Sequence, residues 1–301
     1  MRLILMHATL VRKANKQVPL DAHDNYRANL TGGGPVQALS TADKEEFKSV
    51  RVVLTDMDET LTHGGRLAAA TYGALEALQA DGVRVIPVTA APAGWCDQMA
   101  RMWPIDGVIG ENGGLFFRRG EDGQGVVRQF WHDDLGRMES TMRLQAIVSR
   151  IQKAIPEATV ADDQAFRMTS IAFFIPRNAE TRERIVAALR NEGADVAINN
   201  LWILGWLGGY DKLSMTRRVL AGYYGVDIDD ASGRDAVLYS GDSVNDAPMF
   251  GFFRHTVGVS TVVHYLDQIA VHPRWITAGP GGSGFVEASA AVMRSRADRS
   301  R

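Results

Sequence analysis

Between residues 50 and 114 the apolar positions fall into short runs separated by stretches of helical spacing. Val52-Val53-Leu54 is an unbroken apolar run closed by Thr55 and Asp56, the pattern of a buried strand. Residues 67–80 are rich in alanine, with Leu75 and Leu78 at helical spacing. Asp81-Gly82 then offers a glycine suited to the left-handed residue that closes a helix. Residues 83–88 predict a second strand, 93–103 a second helix stopped by Pro104, and Val108-Ile109 a third strand. Strand, helix, strand, helix, strand in this order predicts a parallel sheet with right-handed crossovers.

The rhythm breaks after Gly114. Apolar runs at 115–117 and 126–130 flank a glycine-containing loop and predict a hairpin. Helices at 133–154 and 179–191 and strands at 168–175, 196–198 and 201–204 follow, the last two around Asn199-Asn200. This mixture predicts a small α+β domain inserted in the larger one. From Asp211 the first rhythm returns, with helices at 212–224, 246–252 and 284–294 and strands at 235–240, 256–259 and 275–277. The expected organisation is an N-terminal extension at 1–45, an α/β core at 46–115 and 206–301, and an α+β insert at 116–205.

Composition narrows the class. The chain has 301 residues, 46% of them hydrophobic, enough for a substantial core. A net charge of −2 predicts neither a nucleic-acid partner nor a membrane-surface partner. The single cysteine, Cys96, excludes a disulfide framework within the chain and a cysteine-rich zinc site. No apolar stretch reaches the ~20 residues of a membrane span. The expectation is a cytoplasmic protein.

The chemistry gathers where two predicted strands end. Asp56 and Asp58 stand at the carboxyl end of the first, the end at which open α/β sheets bind ligands. Gly241-Asp242-Ser243-Val244-Asn245-Asp246 stands at the end of the strand over 235–240. Buried carboxylates are costly without a positive partner. A hard divalent cation takes oxygen ligands from more than one segment, and Asp56 with Asp242 supplies them. Thr89 closes the second strand with a hydroxyl and a backbone N–H. Lys212 opens the helix after the insert, a counter-charge for a phosphoryl group.

These residues resemble, in order, the four motifs of the haloacid dehalogenase (HAD) superfamily. Asp56-Met57-Asp58-Glu59-Thr60 is similar to its D-x-D-x-T element, Thr89 to the second motif, Lys212 to the third, and Gly241 to Asp246 to G-D-x-x-N-D. Glu111-Asn112-Gly113 resembles the E-N-G element of members with a type II cap between the second and third motifs. That branch holds Cof-type hydrolases, phosphomannomutases and the phosphatases of sucrose, trehalose and mannosylglycerate phosphates. The resemblance implies a Rossmann-like core with an inserted cap and a magnesium-dependent phosphatase of a small phosphoester such as a sugar phosphate. It implies that Asp56 is the nucleophile, Asp58 the general acid and base, and Thr89 with Lys212 the phosphate-binding pair. It implies magnesium held by Asp56, the backbone carbonyl of Asp58 and Asp242, with Asn245, Asp246, Glu111 and Asn112 around the metal or substrate. A phosphomutase, or a weakened binder of phosphate ligands, is the alternative on the same scaffold.

The second motif departs from the usual T-G-R, reading Thr89-Ala90-Ala91. Loss of that arginine predicts weakened substrate affinity, recoverable by Ala90→Gly with Ala91→Arg. In the insert, Arg128, Asp162, Asp163 and Arg167 are candidates for leaving-group contacts. Trp131, Trp202 and Trp206 read first as packing residues, and the glycine-rich 279–284 as a flexible loop near the site.

Overall fold

The structure, a computed structural model, describes residues 36–297 apart from 122, 124 and 200. Most of the expected N-terminal extension, 1–35, lies outside the described residues. β1 (Val52–Thr55) is buried at every position, as an unbroken apolar run requires. α1 (Ala69–Ala80), β2 (Arg84–Pro87), α2 (Ala93–Met102) and β3 (Val108–Gly110) follow it. β4 (Leu115–Arg119) and β5 (Val126–Phe130) form the expected hairpin. Next come α3 (Asp134–Ala154), β6 (Ser170–Phe174), α4 (Ala179–Asn191), β7 (Asp195–Ile198) and β8 (Trp202–Trp206). The chain then returns through α5 (Lys212–Tyr224), β9 (Val237–Gly241), α6 (Ala247–Phe252), β10 (His255–Gly258), β11 (Trp275–Ile276) and α7 (Gly281–Ala297).

Six strands make one sheet in the order Gln37–Ala38, β11, β10, β9, β1, β2, and every pairing in it is parallel. The fold is the expected Rossmann-like α/β core. Gln37–Ala38, inside the expected extension, thus joins the core sheet, and Leu39 behind it is buried. A parallel bridge from Val88 to Ile109 carries β3, which pairs antiparallel with β4. The hairpin expected to open the insert is therefore bonded to the core, and its Leu115, Phe116 and Phe117 are buried there.

The insert has its own antiparallel sheet, in the order β7, β8, β6. Alternation along β6 and β8 divides its two faces. Ile171, Phe173 and Ile203 meet Leu144, Ile147 and Ile151 of α3 and Ile185 and Leu189 of α4. The opposite face, with Ala172, Leu204 and Trp206, packs with Ala161 of the insert itself and with Tyr210 and Ala90 of the core. Ala172 on this face and Ala90 just past β2 are small members of this cluster.

The closing helix begins at Gly281 rather than Gly284. A Cβ at Gly282 would lie 2.7 Å from Leu61 O and collide with Thr71 Oγ1. The glycine run, expected to be a flexible loop, is a helix start pressed against the segment after the first acidic motif. Glu287 holds the turn before it, accepting from Ala278 N at 2.9 Å and Gly279 N at 2.7 Å.

Candidate active site

β1 and β9 lie side by side with Thr55 opposite Ser240, so Asp56 and Asp242 leave the sheet at the same edge. Asp56 N donates to Ser240 O at 2.8 Å, which ties the two strand ends together. Asp56, Asp242 and Asp246 are buried, and one carboxylate oxygen of each lies within 4.8 Å of the others. Lys212 Nζ donates to Asp56 Oδ1 and to Asp246 Oδ1, each at 2.8 Å. A reciprocal cap at the start of α5 sets the position of that lysine: Ser214 N donates to Asp211 Oδ1 at 2.6 Å, and Asp211 N to Ser214 Oγ at 2.9 Å.

Asp246 is a bracket within the loop. Its Oδ1 also accepts from Tyr239 Oη at 2.5 Å, and its Oδ2 from Asp242 N at 3.0 Å and Ser243 N at 3.2 Å. Thr60 Oγ1 donates to Asp242 Oδ1 at 3.0 Å, so the threonine of the first motif orients the aspartate of the fourth. Asn245 Oδ1 accepts from Ser243 Oγ at 2.6 Å.

Three buried carboxylates face one ammonium. Burial drives the Asp56 carboxyl up to about 7 against the pull of Lys212, and Asp246 and Asp58 raise it further. Burial, then Asp246 and Asp56, pushes Asp242 up to about 9. Asp58 rises to about 6, again by burial, with Lys212 opposing. Burial would lower Lys212, but Asp246 and Asp56 outweigh it and hold the ammonium above its ordinary value. The site has a deficit of positive charge, and its donors are all oxygen. That set fits a hard divalent cation, with Asp56 and Asp242 the carboxylates to hold it.

Asp56 and Asp58 line one pocket with Ala90, Asn199, Leu201, Ser243 and Asn245. Thr89 is buried beyond the end of β2, and its Oγ1 accepts from Ala91 N at 3.0 Å. Ala91 is 3% exposed and packs in the core among Cys96 and Leu115. Its carbonyl accepts from Glu111 N at 3.1 Å. Arginine at residue 91 would place a guanidinium in this buried, apolar packing, which counts against the expectation that restoring it there recovers affinity.

Glu111 stands apart from the acidic cluster. Fully buried, it accepts from Ala93 N at 3.0 Å and Met168 N at 2.8 Å through Oε1. Through Oε2 it accepts from Thr169 N at 2.8 Å, Thr169 Oγ1 at 2.9 Å and Ser170 Oγ at 2.7 Å. It joins the first turn of α2 to the start of β6, core to insert. Glu111 and Asn112 hold positive φ, +47° and +58°, and so does Glu59 beside Asp58, at +58°. Such backbone in non-glycine residues is costly and gathers at functional sites. Asn112 N donates to Thr89 O at 3.0 Å, and its buried Nδ2 has no hydrogen-bond partner.

Arg167 forks onto Asp163 at 3.0 and 2.7 Å and donates to Ala90 O at 3.0 Å and Ser170 Oγ at 3.3 Å. It pins the insert to the second motif. Asp162 is exposed, and Arg128 pairs with Asp97 on the surface. The tryptophans pack: Trp206 stacks on Tyr210, Trp202 meets Phe174 edge-on, and the Arg218 guanidinium lies over Trp131. Sequence reasoning missed Asn199, Leu201, Ser243 and Tyr239. The tip residues carried only a turn signal, and no local pattern tells which surface a hairpin tip will cover.

No family sequence profile and no curated protein matches the chain. Solved structures do match it in fold. The Thermoplasma acidophilum protein 0175 superposes with a TM-score of 0.65 at 18% identity, over 81% of this chain and 99% of that one. BT1666 from Bacteroides thetaiotaomicron, described as a phosphatase of the HAD enzyme superfamily, gives 0.55 at 18% identity, over 81% and 96%. The sucrose-phosphatase of Synechocystis, solved with sucrose and phosphate, gives 0.59 at 15% identity, over 82% and 98%. The chain has the fold of the HAD-superfamily phosphatases. Among the described residues, no helix is long and apolar enough to cross a membrane.

Proposed function

We propose that the chain is a magnesium-dependent phosphatase that cleaves a small phosphoester, a sugar phosphate, through an aspartyl-phosphate on Asp56. The observation that carries this reading is the convergence of three distant segments on Asp56: Lys212 bonds it, Asp242 lies within the same carboxylate cluster, and Asp56 and Asp58 line a pocket at the strand end. The Synechocystis neighbour's sucrose and phosphate support the sugar-phosphate part.

Asp56 is anchored by Lys212 at 2.8 Å, which fixes one oxygen and leaves the carboxylate able to attack phosphorus. Lys212 also supplies positive charge for the phosphoryl oxygens, and the Thr89 hydroxyl, whose oxygen accepts from Ala91 N, keeps its proton for one of them. Asp58, raised to about 6, holds a proton readily near neutrality. It is suited to protonate the leaving oxygen and then to take a proton from the attacking water. Magnesium, when bound by Asp56, the Asp58 carbonyl and Asp242, supplies the missing positive charge. The insert from α3 to β8 acts as the cover, and the hairpin β4–β5 stays with the core.

The test is phosphate release from a panel of phosphorylated metabolites with magnesium and after metal removal. Release that requires magnesium and stops with chelator is the expected result. Undiminished turnover without metal, or isomerised sugar phosphate with no phosphate released, would refute the reading.

A further inference from the structure

We propose that Glu59 is the positioning residue for the general acid: its carboxylate holds the turn that presents Asp58 to the leaving oxygen. This rests on the phosphatase reading above. Glu59 follows Asp58 directly and holds φ +58°, a conformation costly for a residue with a Cβ. Its own side chain keeps it there. Oε1 accepts from Gly64 N at 2.8 Å, and Oε2 lies 3.1 Å from His63 Nδ1. Glu59 N donates to Thr62 Oγ1 at 3.2 Å. Backbone and side chain of one residue thus both reach the short hairpin formed by Thr62–His63 and Arg66–Leu67.

That hairpin is a fixed support. Gly64 and Gly65, at φ +56° and +73°, make its two-residue turn. Its first strand lies against the start of α7: a Cβ at Gly281 would lie 2.5 Å from Thr62 O and 2.8 Å from His63 Cβ. Thr62 N and Thr62 Oγ1 both donate to Met57 O, at 3.0 and 3.2 Å. Both neighbours of Asp58 are therefore held by the hairpin, Met57 through its carbonyl and Glu59 through its carboxylate. A proton donor works only where it meets the leaving oxygen, and a misplacement of about 1 Å can cost about a hundredfold. Loss of the Glu59 carboxylate lets the turn relax toward ordinary φ and carries Asp58 with it.

The experiment uses the full chain with magnesium and three esters of similar shape: p-nitrophenyl, phenyl and benzyl phosphate. Their leaving oxygens need a proton increasingly in that order. Glu59→Ala keeps the strain and loses the tether, Glu59→Gly loses both, and Glu59→Gln keeps an acceptor for Gly64 N. In Glu59→Ala, kcat for benzyl phosphate is expected to fall about tenfold or more, and for p-nitrophenyl phosphate less than about threefold. KM and competition by inorganic phosphate are expected to stay near native, since a proton donor acts in the transition state. Glu59→Gly is expected to fall between, and Glu59→Gln to restore most of the native benzyl-to-nitrophenyl ratio. An equal loss on all three esters, no loss on any, or a Glu59→Gln protein as impaired as Glu59→Ala overturns the proposal. If Glu59→Ala does not fold, the glycine and glutamine variants decide it on the same ratio. A native chain that cleaves p-nitrophenyl phosphate alone also overturns it, because no proton is then being delivered. If the native chain releases phosphate from none of these esters and from no phosphorylated metabolite, the phosphatase reading falls as well.

Discussion

Asp56 and Asp242 are carboxylates in a place that resists their charge, and this has a sign that can be measured. Both carboxyls lie above their ordinary value of 3.8, at about 7 and about 9, so the folded chain binds protons that the unfolded chain has released. Their stabilising effect is complete below pH 3.8 and is lost as pH rises through 7 and 9. A divalent cation competes for the same oxygens and removes the repulsion. The rise in Tm on adding magnesium to chelator-treated protein is therefore expected to be larger at pH 8 than at pH 5; thermal scans with and without magnesium check it, and an equal rise at both would contradict it. Asp56→Asn is expected to lower phosphate release by at least about 10³-fold while Tm is kept or raised, since Lys212 retains Asp246. Kinetics and circular dichroism on one preparation separate loss of chemistry from loss of fold. The acidic residues were legible in sequence because each pair sits on one short segment at a strand end. Tyr239, which braces Asp246, was not, because a tyrosine inside an apolar strand looks the same whether its hydroxyl meets a carboxylate or water.

At the level of elements, the join between core and insert has a polar part beside its apolar one. Glu111 receives donors from α2 and from the start of β6, and Tyr210 Oη donates to Thr169 O at 2.9 Å. Gly114 makes the approach possible, since a Cβ there would lie 2.7 Å from Tyr210 Oη and collide with Thr169 Oγ1. Glu111→Gln turns one of two accepting oxygens into a donor, and the N–H of either Thr169 or Met168 and Ala93 then faces it. The expected loss is about 2–3 kcal/mol, read from urea unfolding; a change under about 0.5 kcal/mol would show that the join does not depend on the carboxylate. The order of helices and strands was readable from apolar spacing, and the break in rhythm marked the insert. Which sheet the β4–β5 hairpin joins was not readable. An apolar run such as Leu115-Phe116-Phe117 says that a strand is buried and leaves open what buries it. The same limit hid the fate of Ala90 and Ala91: only the folded chain shows that both are buried, Ala90 against the insert's sheet and Ala91 in the core.

Across the whole molecule, the segment ahead of β1 belongs to the core. Phe47 is 1% exposed, packs edge-on against His255, and shares its cluster with Leu39 and Val50. Phe47→Ala is expected to cost about 3–5 kcal/mol by thermal or urea unfolding, with kcat/KM little changed in the folded fraction. A cost near zero would mean that this segment is peripheral after all. The parallel sheet has one further implication, for the chain as it is being made. β1 and β9 are neighbours in the sheet, with Val53 opposite Leu238, yet α1 to α5 separate them in the sequence. Closing so long a loop adds little free energy, because the cost grows only with the logarithm of its length. It does set a time order. A nascent chain can complete the insert, whose apolar cluster spans residues 144–207, while β1 still lacks its partner. Asp56 then waits beside an unfilled strand position until β9 is synthesised. During translation the cover is ready before the chemistry it encloses, so a stall or truncation between residues 207 and 242 leaves a cap with nothing to cap.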